Sequence, residues 1–189
     1  MGFLKKLFGN VEKANKGEIP VEEIVPPFTI DIAEEADDYW RQMEQNLLIN
    51  AVKGVGGPEA VERAFVLTNF KENQETFELF YQVNGQLLSW REMDATVVDK
   101  ISNQLLSQAA EVARAVNENY EEANVPVIQY AMLQFETATM AWFGRKLTTA
   151  SPEAQLTFEE LVSGWRAILE QEIPNRPLDS DRPFPYFEV

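Results

Sequence analysis

A β-hairpin at residues 77–90, with the sequence FELFYQVNGQLLSW, most strongly constrains how this chain can fold. Apolar residues alternate along its first half, which is the two-residue period of a half-buried strand. The Asn84-Gly85 pair then tolerates the positive φ angles that a two-residue hairpin turn requires. This turn predicts two cross-strand pairs on one face of the sheet: Tyr81 with Leu88, and Leu79 with Trp90.

Three helices are predicted around this hairpin from apolar residues that recur every three or four positions. The first is expected at residues 31–53, with Asp31 as its N-cap. The second and longest is expected at residues 94–123, with Thr96 as a cap. The last is expected to begin at a capping box formed by Thr157 and Glu160.

Further strands are predicted on both sides of the long helix. Residues 64–70 carry apolar side chains on both faces, so this strand is expected to be central and to form a three-stranded meander with the hairpin. Residues 127–145 predict a second hairpin that turns near residues 136–137. The fold class is therefore α+β: a mainly antiparallel sheet, made of a three-stranded meander plus a hairpin, with helices packed on it.

The chain is expected to form one domain with two terminal segments, since 189 residues with 45% hydrophobic content can build one sizeable core. Residues 1–30 are an N-terminal amphipathic segment and an acidic, proline-rich arm. Residues 31–173 are the domain, and residues 174–189 are a proline-rich tail. The tail is expected to pack on a surface through its aromatic residues, Phe184, Tyr186 and Phe187.

The first sixteen residues are net positive, whereas the whole chain has a net charge of −15. Apolar side chains occur there at helical spacing: Phe3, Leu4, Leu7 and Phe8. Two interpretations of this segment are possible: a helix that rests on a membrane surface, or a frayed or loosely docked terminus. We favour the second. No stretch approaches 18 uninterrupted apolar residues, so no stable membrane insertion is expected.

The chain contains neither histidine nor cysteine. This excludes Ser-His-Asp and Cys-His catalysis and an ordinary zinc site, and the lack of cysteine fits a reducing cytoplasm. Several carboxylates can lie near one another on helices, but we interpret them as solvated: Glu34/Asp38, Glu118/Glu122 and Glu153/Glu159/Glu160. We therefore expect a non-enzyme with no catalytic residues, no metal and no cofactor. An enzyme built on carboxylates is the third choice, and it would need a pocket holding a carboxyl of raised pKa.

The negative charge repels nucleic acid and anionic membranes and speeds encounter with basic proteins. Solubility alone would also explain it. If it serves binding, the predicted contacts are four acidic residues on the first helix and in the first β-turn: Asp37, Asp38, Glu72 and Glu75. Phe80 lies on the strand face opposite to the Tyr81 side chain. Either a helix covers Phe80, which we prefer, or it is exposed for a partner.

One segment resembles a known family. In residues 57–65, GPEAVERAF, a proline and then an acid-base pair lead into the first strand. The meander, the turn at residues 84–85 and the long helix follow, and Val125-Pro126-Val127 stands before the next strand. Over about residues 31–171 this order resembles the YezG-like immunity proteins of bacteria. The resemblance implies a cytoplasmic, non-enzymatic protein that binds and blocks a toxin, often a nuclease, made by the same cell.

The sequence therefore predicts a binding protein of the immunity or antitoxin type that uses an acidic surface against a basic partner. The alternative from another class is a structural or adaptor protein of a secretion or phage assembly, docked through the N-terminal arm or the aromatic tail. The partner's identity and the oligomeric state do not follow from the residues.

Overall fold

A computed structural model describes residues 32–71, 76–179 and 182–186, apart from the side chains of residues 104 and 106. It has five strands and three helices in these ranges: α1 (Ile32–Gly54), β1 (Arg63–Asn69), β2 (Thr76–Val83), β3 (Gln86–Ser89), α2 (Ala95–Glu122), β4 (Ile128–Glu136), β5 (Ala141–Thr148) and α3 (Phe158–Glu172). The strands form one antiparallel sheet in the order β3-β2-β1-β4-β5. The predicted α+β class is confirmed.

Strand β1 lies at the centre of the sheet, as its apolar residues on both faces predict. It pairs with β2 on one side and β4 on the other, so that Phe65 lies between Phe80 and Gln134. All seven of its residues are buried. The meander and the second hairpin therefore join into one sheet through β1.

Each face of the sheet has its own apolar core. Alternate residues such as Val66 and Leu79 pack with α1 and α2 on the first face. The residues between them, such as Phe65 and Phe80, pack with α3 and the C-terminal tail on the second face. This alternation follows from the two-residue period of a strand. The sheet is thus the middle layer of three, and helices cover both of its faces.

The first hairpin forms with the predicted turn, since Asn84 and Gly85 have φ angles of 51° and 75°. Tyr81 pairs with Leu88 as predicted. The predicted pair of Leu79 with Trp90 does not form, because β3 ends at Ser89. That serine begins a short 3-10 turn in which its backbone and side chain make a capping box with Glu92.

The ends of the other elements differ from prediction by a few residues. Helix α2 is capped by Asp94, whose carboxylate accepts a hydrogen bond from the backbone N–H of Thr96, so the predicted Thr96 cap is wrong. The capping box of Thr157 and Glu160 at α3 is confirmed. The β4–β5 turn spans residues 137–140 rather than lying near residues 136–137.

The C-terminal tail packs on the second face of the sheet. The side-chain amide of Gln134 donates to the carbonyl of Phe184 at 3.0 Å and accepts from its N–H at 2.6 Å. The Phe184 ring is buried against Phe65, and the Tyr186 ring stacks on Trp165. Two of the three predicted tail aromatics are therefore part of the protein's own core, and Phe187 lies outside the described residues.

Candidate functional site

One end of the sheet, which we call the acidic end, collects exposed or half-exposed carboxylates from three helices. Helix α1 begins there, α2 ends there, and α3 begins there on the other face. The hydrogen bond from Tyr120 to Asp37 joins the first two helices at this end. The acidic side chains are Glu34, Glu35 and Asp38 on α1, Glu118, Glu121 and Glu122 on α2, and Glu159 and Glu160 on α3.

Four of these eight carboxylates are explained by helix stability. Glu34 and Glu35 of α1 and Glu159 and Glu160 of α3 lie in first turns, where the helix dipole favours negative charge. Glu160 also accepts a hydrogen bond from the backbone of Thr157 at 2.8 Å. These residues therefore need no partner to explain them.

The three glutamates of α2 lack such an explanation. Glu118, Glu121 and Glu122 lie at the C-terminal end of the helix, where the dipole is negative and each carboxylate is disfavoured by about 0.3–1 kcal/mol. The last turn of α2 contains no basic residue. Departures from local stability rules are expected at functional sites. This end of α2 is therefore the strongest candidate for a binding surface.

A groove of about 240 Å³ lies beside these glutamates, and we call it the α2 groove. Its apolar lining consists of Phe70, Ala110 and Ala113, and its polar lining consists of Arg114, Asn117, Glu118 and Glu121. The Asn117 side chain donates to the carbonyl of Ile128 at 2.9 Å and accepts from its N–H at 2.8 Å. These two bonds fix α2 to the start of β4, so the groove is preformed.

The predicted contacts on α1 lie at the acidic end, but the structure separates their roles. Asp38 is exposed. Asp37 is half-buried and accepts hydrogen bonds from Lys146 and Tyr120. Burial alone would raise the pKa of the Asp37 carboxyl, but these two bonds outweigh it and hold that pKa below its ordinary value. Asp37 thus ties α1 to α2 and β5, and Asp38 is the residue presented to solvent.

The predicted contacts in the first β-turn, Glu72 and Glu75, lie outside the described residues. The residue before this turn, Phe70, lines the α2 groove. Its ring also meets Trp40 of α1 edge-on, with centroids 5.7 Å apart. The turn therefore starts at the acidic end, beside the α2 groove.

The prediction that Phe80 is an exposed contact for a partner is wrong. The preferred interpretation, that a helix covers this side chain, is confirmed. Its side chain is 1% exposed and belongs to the core beneath α3. The guanidinium of Arg166 on α3 lies 5.8 Å from the centre of the ring. The sheet face that carries Phe80 is apolar enough to require a helix over it, which removes this ring from any partner's reach.

Two carboxyls have a raised pKa, the feature that an enzyme built on carboxylates would need. Burial raises the pKa of both Glu44 and Glu136. Glu44 accepts a hydrogen bond from the Trp40 indole at 2.7 Å, and Glu136 is ion-paired with Arg63. Each carboxyl is thus held by an internal partner. Glu136 also lines a second groove, of about 410 Å³, at the opposite end of the sheet.

Burial of Glu44 should make stability depend on pH. The folded state binds this proton more tightly than the unfolded chain, so its protonation stabilises the fold. That contribution is complete below the unfolded pKa and is lost as the pH rises through the higher folded pKa. Glu44→Gln should therefore gain stability relative to the parent protein as the pH rises from acidic to neutral, measured by urea unfolding at several pH values.

The exposed Glu59→Gln is the matched control, since it also removes one carboxylate. If the effect of Glu44→Gln follows that of Glu59→Gln at every pH, the buried carboxyl is not the source of the dependence.

Sequence reasoning missed the glutamates of α2, because Glu118 and Glu122 were interpreted only as a solvated pair. The signal that could have found them is the lack of any basic residue near the end of that helix. Glu153, interpreted as solvated as well, is buried and ion-paired with Arg145 at 2.8 Å.

Comparison with known proteins gives no relative: no protein-family model matches the chain, and no curated protein matches it. The likeness to YezG-like immunity proteins therefore stays a prediction that rests on the sequence. Among the helices within the described ranges, none is long and apolar enough to cross a membrane. In the same part of the chain, no group of three or more acidic side chains is arranged to hold a metal ion.

Proposed function

We propose that this chain is a non-enzymatic, cytoplasmic binding protein of the immunity type, which neutralises a basic toxin through its acidic end. The observation that carries this proposal is the placement of three glutamates at the C-terminal end of α2, beside a groove that is partly lined by apolar side chains. Binding a cationic surface would offset the repulsion between these carboxylates and the helix dipole. A nuclease fits as the toxin, because surfaces that grip phosphates are basic.

The use of basic residues inside the fold supports this proposal. Arg63, Arg145 and Lys146 each pair with a carboxylate of the same chain, and so does Arg91. These positive charges are held by internal acids, whereas the carboxylates of the α2 end point to solvent. The resulting negative field would speed the approach of a basic partner and weaken with added salt.

Charge reversal at the α2 groove tests the proposal. The partner is isolated as the protein that co-purifies at 1:1 from the native cell, and its activity is assayed with and without this chain. Glu118→Lys/Glu121→Lys is expected to slow association roughly tenfold or more at low salt, because steering charges act mainly on the association rate. The toxin should then escape inhibition at protein concentrations that suffice for the parent chain.

A control with the same change in charge is Glu59→Lys/Asp179→Lys, at exposed positions near the opposite end of the sheet. It should slow association much less than the variant at the α2 groove. Equal effects of both variants would show that only the total charge matters and that the acidic end is not the contact surface. A co-purifying protein whose activity this chain leaves unchanged would refute the immunity function itself.

The alternative function is that of an adaptor in a secretion or phage assembly. Docking through the C-terminal tail, which this function was predicted to use, has little support. Phe184 is 4% exposed, and Tyr186 packs on Trp165, so these aromatic side chains are occupied within the molecule. Deleting residues 174–189 would open the second core and so would not separate docking from folding. An adaptor would have to use another surface, such as the N-terminal arm.

A further inference from the structure

We propose that residues 1–16 of this chain dock in its own α2 groove. The segment would then occupy the surface where a basic partner is proposed to bind and would compete with it. Only this competition rests on the proposed function, because docking itself depends on the groove and on the chain's own sequence.

The charges of the segment and the groove are complementary. Residues 1–16 contain four lysines and a single acid, Glu12, in a chain whose net charge is −15. The α2 groove is lined by Glu118 and Glu121 against Arg114, and the negative end of the α2 dipole adds to its field. The segment and the α2 groove therefore carry charges of opposite sign.

The apolar residues of the segment also fit the groove. Phe3, Leu4, Leu7 and Phe8 are spaced so that a helix would place them on one face. Phe70, Ala110 and Ala113 contribute apolar surface to the groove. Its volume of about 240 Å³ exceeds the roughly 150 Å³ that suffices for a benzene ring. One aromatic ring of the segment can therefore enter, with lysines left at the glutamate rim.

The chain's connectivity places the segment within reach. Helix α1 begins at Ile32, and the bond between Asp37 and Tyr120 holds its second turn beside the end of α2. Residues 17–31 can span up to about 50 Å when extended. A tethered segment has an effective concentration in the millimolar range, so even a weak contact is populated.

A membrane surface is the other known destination for a basic amphipathic segment. The remainder of this chain is strongly acidic and would be repelled by anionic lipids. The groove, by contrast, attracts the segment through charge and lies on the same molecule. We therefore assign the segment to the groove and leave membrane binding as an outcome of the test.

Paramagnetic NMR on the full-length chain tests this docking. The chain has no cysteine, so Asn10→Cys gives a single site for a spin label. Signals from amides around the α2 groove should lose at least about twofold more intensity than those near Glu59, since tethered docking holds the label nearby. Glu118→Gln/Glu121→Gln should abolish this difference, and Glu59→Gln/Asp179→Gln should leave it unchanged.

Uniform broadening, broadening centred on the opposite end of the sheet, or a pattern that survives Glu118→Gln/Glu121→Gln would overturn the docking. Membrane binding is the other outcome that would overturn it. If the free protein shows no such broadening and residues 1–16 bind anionic phosphatidylserine vesicles, the segment is assigned to membranes. The measurement contains no partner. Its failure therefore leaves the proposed inhibition of a toxin to be judged by its own assay.

Discussion

Replacing Arg63 with methionine is expected to lower the free energy of unfolding by about 3–5 kcal/mol. Its side chain is 1% exposed and donates to three groups: the Glu136 carboxylate, the Gln82 amide at 2.6 Å and the carbonyl of Pro177. Methionine keeps most of the apolar packing but leaves the Glu136 carboxylate buried without its cation. Urea unfolding of the parent protein and the variant measures the loss.

The matched control replaces both partners. Arg63→Met/Glu136→Leu should recover at least half of the lost stability, because a buried ion pair replaced by apolar residues of similar volume is often close to neutral. If Arg63→Met alone costs less than about 1 kcal/mol, the ion pair does not carry the stability assigned to it.

Gly144→Ala is expected to destabilise the protein by about 1–3 kcal/mol, although Gly144 is an exposed residue of the edge strand β5. A Cβ at this position would lie 2.7 Å from Glu44 Oε1 and 2.8 Å from the carboxyl carbon. Glu44 has little freedom to withdraw, since it is buried and held by the Trp40 indole. An alanine that would normally be harmless on an exposed strand therefore forces α1 or β5 to move.

Truncating Glu44 separates this clash from a general effect of alanine. In a Glu44→Ala background the added methyl group has space, so Gly144→Ala should cost little. The double-mutant cycle should show a favourable coupling of about 0.5–3 kcal/mol between the two substitutions. Thermal or urea unfolding of the four proteins gives the coupling. A coupling near zero would mean that the carboxyl does not press on Gly144.

Where one local signal dominates, the sequence predicted the fold well. The Asn84-Gly85 turn sets the register of the hairpin, and both faces of β1 are apolar because it is central. Where two signals compete, prediction failed by a few residues. Ser89 can continue a strand or cap a turn, and Asp94 and Thr96 are both good helix caps. Only the packing of the neighbouring elements decides between them.

The candidate site was less predictable, because its parts meet through distant contacts. Nothing near Asp37 in the sequence indicates that Lys146 will pair with it, 109 residues away. Whether Phe80 is exposed depended on where α3 packs. The glutamates at the end of α2 could have been recognised, since a helix end without basic residues is visible in the sequence alone.

The contacts between the tail and the sheet have a consequence for how the protein is made. Arg63 donates a hydrogen bond to the carbonyl of Pro177, which lies 114 residues further along the chain. Gln134 forms two hydrogen bonds with the backbone of Phe184. During translation, the second core stays open until residue 184 has left the ribosome. A nascent or prematurely terminated chain would expose Phe65 and Trp165 and become a substrate for chaperones and proteases. Emergence of the tail from the ribosome is thus the step that closes the second core.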